Sequence, residues 1–372
     1  MKKLEKIAYV EKEYQLNKEK GIVVIERTNE EFDKLIRIRN YNGGLPISEI
    51  HQKIALLKPQ NYRIIDIPVG GDAPKDFIKM YEYGNSKKGK EGTWKEFIAK
   101  VGHKWYPLES ITEYMMNKIG EVIGLNMAKS QLRIAHGQIR FLSQYFLKRK
   151  EETIMHGSQI YSTHLAEDDE IFVDEIEQKG LSRSLLSFQF TDEAVQGVFR
   201  EEHKNIMQEL VKLLVFDAIT GNNDRHFYNW AVITNIISDD KPYFSPIYDT
   251  ARGLFWNRSD DMIDKKFYEG KGKTRKIKVP TLEKYMNASR PKIGWDGWQG
   301  KKEINHFQLI ELVYNNYPEY KNTCNFLLND VHLQKIYTLL EDEFKLFFTN
   351  DRYVLVRECI KKRFEHLQHL CK

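Results

Sequence analysis

The residues best suited to chemistry lie in one run, Gly221-Asn-Asn-Asp-Arg-His-Phe-Tyr-Asn, followed by Pro246-Ile-Tyr-Asp. Asp224 and Asn229 are five apart, and Asp249 comes twenty residues after Asn229 at the end of an apolar segment. A carboxylate that orients or accepts a hydroxyl proton, with an amide and a second carboxylate to hold magnesium, is the set that phosphoryl transfer uses. Hard, octahedral Mg²⁺ takes such oxygens, whereas imidazole and thiolate suit softer metals. The plainer reading is a polar turn ending a helix, since Asn222, Asn223 and Asp224 all favour turns. Each acid alone fits that reading; the joint spacing argues for chemistry.

The elements around this run follow from periodicity. His203 to Thr220 carries Ile206, Leu210, Leu213 and Leu214 at helical spacing and stops at Gly221. Upstream, 77–83 and 94–101 alternate like two strands around the polar stretch Gly84-Asn-Ser-Lys-Lys-Gly-Lys-Glu-Gly-Thr. Ser110 and Glu113 have the spacing of a capping box, which predicts a helix starting at Ser110. Residues 130–135 and 138–147 read as two further strands, and 305–370 as mostly helical. Short strand-like and helix-like runs over 1–65 suggest a small appended domain with a packing role.

The run from Asn223 to Asn229, with Pro246-Ile-Tyr-Asp, resembles the C-lobe of HipA-type serine/threonine kinases. More distantly, Asp-Arg-His-x-x-Asn is similar to the catalytic loop of phosphoinositide 3- and 4-kinases. The likeness spans roughly residues 77–260. It implies an α+β, two-lobed protein-kinase-like fold: an appended domain at 1–65, a β-rich N-lobe at 66–148, and a largely helical C-lobe at 149–372. It also implies ATP and Mg²⁺, with Asp224 as the catalytic carboxylate and Asn229 and Asp249 as metal ligands. Thr250 and Ala251 stand where ordinary kinases have Phe-Gly, so that part of the pattern is absent. Arg225 and His226 are expected to brace the loop.

The N-lobe should supply a lysine to the phosphates. Lys100, flanked by Ile98, Ala99 and Val101, is preferred over Lys95 and Lys104 because a lysine among apolar neighbours needs an anionic partner. Glu113 is its candidate partner, with the capping box as the competing role. The backbone of Gln144, Tyr145, Phe146 and Leu147 is expected at the adenine. The loop at 84–93 is placed over the phosphates, with Ser86 and Thr93 as candidate autophosphorylation sites. The basic run 265–278, seven Lys or Arg against Glu269, reads as a substrate loop or a solvated surface.

Composition bounds the rest. With 41% hydrophobic residues, 20 Tyr, 20 Phe and 6 Trp, the chain can build a large core. The net charge of +5 is too mild to point to direct nucleic-acid binding. Cys324, Cys359 and Cys371 lack metal-ligand spacing and no disulfide framework is implied, so a reducing cytoplasm is expected, a bacterial one by the HipA-type resemblance, with signal-less export as an effector left open. No apolar run is long enough to span a bilayer. The resemblance implies a protein substrate and allows an antitoxin-like partner. A lipid or small-alcohol kinase, and a nucleotide-binding pseudokinase, are the competing readings; the joint presence of Lys100, Asp224, Asn229 and Asp249 weighs against the last.

Overall fold

The computed structural model describes residues 54–67, 75–101, 108–135, 138–148, 151–165, 175–176, 179 and 181–372. Most of the expected appended domain, 1–53, lies outside them.

Five antiparallel strands form the first layer: β1 (Tyr62–Ile65), β2 (Lys75–Met80), β3 (Lys95–Val101), β4 (Ser130–Ala135) and β5 (Gln138–Gln144), in the order β1-β2-β3-β5-β4. The central strand β3 shows why the sequence makes a sheet. Its side chains alternate, so Phe97 and Ala99 enter one small core with Tyr62, Ile78, Met80 and Leu142. Lys100 therefore faces the other side, where helix α1 (Glu109–Val122) buries Ile111, Met115 and Ile119 with Leu132 and Phe141 of the sheet. The stretch 54–61 ties the sheet's edges together. Leu57 N–H donates to Ile134 O on β4 at 2.8 Å, and the chain then turns through Pro59 into β1. Residues 54–65 thus belong to the sheet rather than to a separate unit, because Leu57 and Tyr62 are part of its core.

The expected capping box does not form. Helix α1 starts at Glu109, Leu108 occupies the cap position without a side-chain bond, and Ser110 Oγ is buried with no partner among the described residues. Serine and glutamate three apart are a local pattern only; Glu113 instead meets an ammonium group.

The second layer is mostly helical. A small sheet of β6 (Glu152–His156), β7 (Ala231–Asn235) and β8 (Tyr243–Phe244) sits beside α2 (Gly157–Leu165), α3 (Ser182–Leu185) and α4 (Phe188–Val198). Helix α5 (His203–Thr220) is the spine, and every residue from Leu213 to Thr220 is buried. It is wrapped by α4, α8 (His306–Asn316), α9 (Lys321–Leu327) and α11 (Asn350–Leu370). Between them run α6 (Asp260–Phe267), the short pair β9 (Tyr268–Glu269) and β10 (Lys276–Ile277), α7 (Val279–Asn287) and α10 (Asp330–Leu339). The three cysteines are free and buried. Among the described residues no helix is long and apolar enough to cross a membrane.

Candidate active site

Helix α5 positions the first half of the site through a buried acid. Asp217 is fully buried in an apolar helix and needs a cation. Arg225 supplies it, with Nε donating to Oδ2 at 2.9 Å and Nη2 to Oδ1 at 3.2 Å; Asn222 Nδ2 adds a third bond at 3.0 Å. The same guanidinium donates through Nη1 to Asn229 O at 2.8 Å and to Tyr248 O at 2.7 Å. One side chain therefore fixes α5, the 224–229 loop and the segment leading to Asp249. Asn229 Nδ2 donates to Asp224 O at 2.6 Å, which leaves its Oδ1 as an acceptor. His226 Nε2 lies 3.2 Å from Asn229 Nδ2, and Nδ1 accepts from Tyr228 N–H, so the imidazole braces the loop. Gly221 ends α5 at φ +66°, and a Cβ there would meet the Arg363 guanidinium at 3.1 Å. Arg363 needs that space, because its Nε donates to the terminal carbonyl of Ala218 at 2.7 Å, and its Nη1 and Nη2 reach Met286 O and Ser289 Oγ.

The second half meets across the cleft. Lys100 Nζ donates to Glu113 Oε1 at 2.8 Å and to Asp249 Oδ1 at 3.0 Å. Burial alone would lower the lysine's pKa, but the two carboxylates reverse this and hold it well above its ordinary value. Burial likewise pushes Asp249 up; the Lys100 ammonium outweighs it, with help from Lys75 and Arg225, and holds the carboxyl at about 2. Glu113 goes the other way: burial raises it despite the shared ammonium, and the neighbouring Asp249 charge adds to the rise. Asp249 sits at φ +54°, a left-handed conformation that aspartate tolerates better than most residues. Asp224 faces the cleft with its side chain about a quarter exposed, and Arg252 Nη1 is 3.2 Å from its Oδ2. Its pKa is raised by burial and by Asp249, against the opposing pull of Arg252, His226 and Lys292.

Beyond Asp249 the chain is held from behind. Leu254 and Phe255 both have positive φ, at 44° and 65°, each costing about 1–2 kcal/mol for a residue with a Cβ. Leu254 N–H donates to Thr220 O at 3.2 Å, and Phe255 N–H to Tyr285 Oη at 2.8 Å. The buried Arg352 on α11 bonds Asp260 Oδ1 at 2.6 Å and the carbonyls of Phe255 and Arg258.

Residues 67–307, well over half of the chain, match the HipA-like C-terminal domain. The chain belongs to that family. Its fold is that of a protein kinase, α+β and two-lobed. It is similar to the Helicobacter pylori proinflammatory kinase CtkA, with a TM-score of 0.60 at 14% identity over 79% of this chain and 92% of that one. Weaker likenesses are to Shewanella oneidensis MR-1 HipA, solved with HipB and operator DNA, and to the Golgi casein kinase. The first has a TM-score of 0.45 at 12% identity, over 87% of this chain and 71% of that one. The second has 0.40 at 12%, over 87% and 76%. No curated protein matches the sequence.

Within this HipA-like fold Lys100, Glu113 and Asp249 meet, with Asp224 and Asn229 on the adjoining loop. The rival Lys95 instead pairs with Glu82 at 2.8 Å, partly exposed, and Lys104 lies outside the described residues. At the expected adenine strand, the N–H groups of Gln144 and Tyr145 are already engaged, by Lys129 O at 2.7 Å and Glu96 O at 2.9 Å. Neither N–H of Phe146 or Leu147 has a partner among the described residues, and the Phe146 ring lies 6.0 Å from that of Tyr248.

The placement of 84–93 over the phosphates is corrected by the strand register. Lys75 pairs with Lys100 and Met80 with Lys95, so the β2–β3 tip stands at the opposite end of β3 from Lys100. The separation from Lys95 to Lys100 is roughly 17 Å at about 3.3 Å per residue. The tip is closed on itself: Thr93 Oγ1 accepts from Lys87 N–H at 2.9 Å and donates to Lys90 O at 2.8 Å, and Ser86 Oγ accepts from Glu82 N–H at 3.4 Å. The connection that does end beside Lys75 is β1–β2, 66–74, with Gly70-Gly71; its residues 68–74 lie outside the described ones.

Two residues that build this site escaped the sequence reading. Asp217 had a signal, a lone acid in the apolar run Leu213-Leu-Val-Phe-Asp-Ala. Arg252 had none, since only the fold brings it to Asp224.

Proposed function

We propose that this HipA-like chain is an ATP- and magnesium-dependent kinase that phosphorylates serine or threonine hydroxyls of a protein. The observation that carries this reading is the Lys100–Glu113–Asp249 cluster, with Asp224 close enough to feel the Asp249 charge and Asn229 bonded to the Asp224 backbone. A lysine on the third strand, paired with a glutamate on the following helix, is the arrangement by which protein kinases hold a triphosphate.

In this reading Lys100 exchanges part of its carboxylate contact for the α- or β-phosphate. Asp249 Oδ2 and Asn229 Oδ1 are the oxygens that would hold magnesium. Two protein oxygens suit that ion, which takes one or two side-chain ligands and completes its octahedron with phosphate and water. When bound, it neutralises charge on the triphosphate. Asp224 receives the proton of the acceptor hydroxyl as that oxygen bonds to the γ-phosphorus and the bond to the ADP oxygen breaks. The main chain of Phe146 and Leu147 is offered to adenine. Any phosphate on Ser86 or Thr93 comes from a second molecule, since the tip lies away from Lys100.

The test is incubation with γ-labelled ATP and Mg²⁺, wild type beside Asp224→Asn, with products identified by mass spectrometry. Transfer should fall by about 10²–10⁴-fold in the variant, while MgATP binding measured by calorimetry stays within a few-fold of wild type. Equal transfer by both proteins would remove Asp224 from the chemistry and the kinase assignment with it.

A further inference from the structure

Arg252 lies three residues beyond Asp249, and the fold directs it back onto the catalytic loop. Its guanidinium is held on three sides by three parts of the chain. Nη1 is 3.2 Å from Asp224 Oδ2, and Nε is 4.0 Å from Glu109 Oε1 at the start of α1. The guanidinium carbon stands 5.4 Å from the centre of the Trp256 ring. The side chain is one-third exposed, so it opens on the cleft and is not a core fixture. Asp224 itself is attached to the loop through its backbone, and neither Arg225 nor Asn229 touches its carboxylate. A carboxylate on a loop can rotate about χ1 and χ2 unless something holds it, and a general base must be held at the hydroxyl it serves.

We propose that Arg252 is a positioning residue for phosphoryl transfer, holding the Asp224 carboxylate toward the acceptor hydroxyl and tying it to the N-lobe helix through Glu109. This rests on the kinase reading above. Arginine is suited to the task because its planar fork directs separate nitrogens at two acids and lies flat on an indole, which a lysine ammonium cannot do at once. The paired oxygen of Asp224 stays with Arg252 throughout. The free oxygen takes the hydroxyl proton while the acceptor oxygen bonds to phosphorus and ADP leaves. Arg252 gains and loses no proton.

The experiment follows label transfer from γ-labelled MgATP to dephosphorylated casein by wild type, Arg252→Lys, Arg252→Ala and Asp224→Asn. Arg252→Ala should lower kcat by about 10²-fold, the scale of a 1 Å misplacement of a reacting group, and leave KM for MgATP within about threefold. Millimolar guanidinium chloride, but not urea or sodium chloride, should restore part of kcat in Arg252→Ala by filling the vacated place. Arg252→Lys should fall between the two. Should Arg252→Ala fail to fold, Arg252→Lys carries the same split of kcat from KM. Wild-type kcat in Arg252→Ala, or a loss shared by kcat and KM that guanidinium does not reverse, would overturn the positioning role. A wild type that transfers no more label than Asp224→Asn would instead sink the kinase reading, and the role of Arg252 with it.

Discussion

Replacing Lys100 by methionine tests the fold and the chemistry together. The methionine keeps most of the buried stem packing. What is lost is an ammonium 2.8 Å from Glu113 and 3.0 Å from Asp249, with the Glu113 side chain only 4% exposed. Removing one partner of a buried pair costs about 3–5 kcal/mol. The lower end applies here, because burial already pushes the Glu113 carboxyl up and it takes a proton once its counter-ion is gone. A loss of about 3 kcal/mol should lower the melting temperature by roughly 4 °C in a chain of 372 residues. The sign with pH follows from linkage. A carboxyl whose folded pKa is raised binds more protons folded than unfolded, so its contribution is fullest below the unfolded value of 4.5 and is lost as pH rises through the folded value. The variant's deficit should therefore grow from acid toward neutral pH. Nucleotide binding should suffer separately. A charge-assisted bond to phosphate contributes about 1.5–3 kcal/mol, so MgATP affinity by calorimetry should drop by about 10- to 100-fold. Lys95→Met, which removes only the partly exposed pair with Glu82, should cost under about 1 kcal/mol and leave affinity unchanged. A Lys100→Met protein that is destabilised but binds MgATP like wild type would show a purely structural cluster and refute the N-lobe argument.

Asp249→Asn and Asn229→Ala should each weaken the magnesium-dependent part of nucleotide binding, read as the difference between titrations with and without Mg²⁺; an unchanged difference would mean the metal lies elsewhere. Arg225→Met should destabilise the protein by about 3–5 kcal/mol, because Asp217 would be left buried without its cation. Urea unfolding measures this, and a loss under about 1 kcal/mol would deny Arg225 its bracing role.

The candidate loop was legible because its pattern is local: Asp224, Asn229 and the glycine that ends α5 all fall within nine residues. Helix α5 and strand β3 were legible because burial imposes a period that few other arrangements produce. What the sequence hid was set by distance along the chain. The loop at 84–93 looks like a phosphate cradle until the strand order shows which turn stands at the Lys100 end. Ser110 and Glu113 make a plausible capping box until a buried ammonium competes for the glutamate. Arg252 finds Asp224 only because the fold lays its backbone beside the loop, where its carbonyl accepts from Asn223 N–H at 3.2 Å.

The two buried arginines of α11 bear on how small a working enzyme can be. The family match stops at residue 307, and a fragment cut there would keep every side chain named for catalysis. It would lose Arg363, which fastens the Ala218 carbonyl in the last turn before the 221–229 loop, and Arg352, which holds the left-handed stretch beyond Asp249. On the kinase reading proposed above, the smallest fragment expected to work is thus longer than the domain that names the family. A substitution at either arginine, 97 and 145 residues from the carbonyls of Phe255 and Ala218 that they hold, should be read as a lesion of the candidate site acting at one remove.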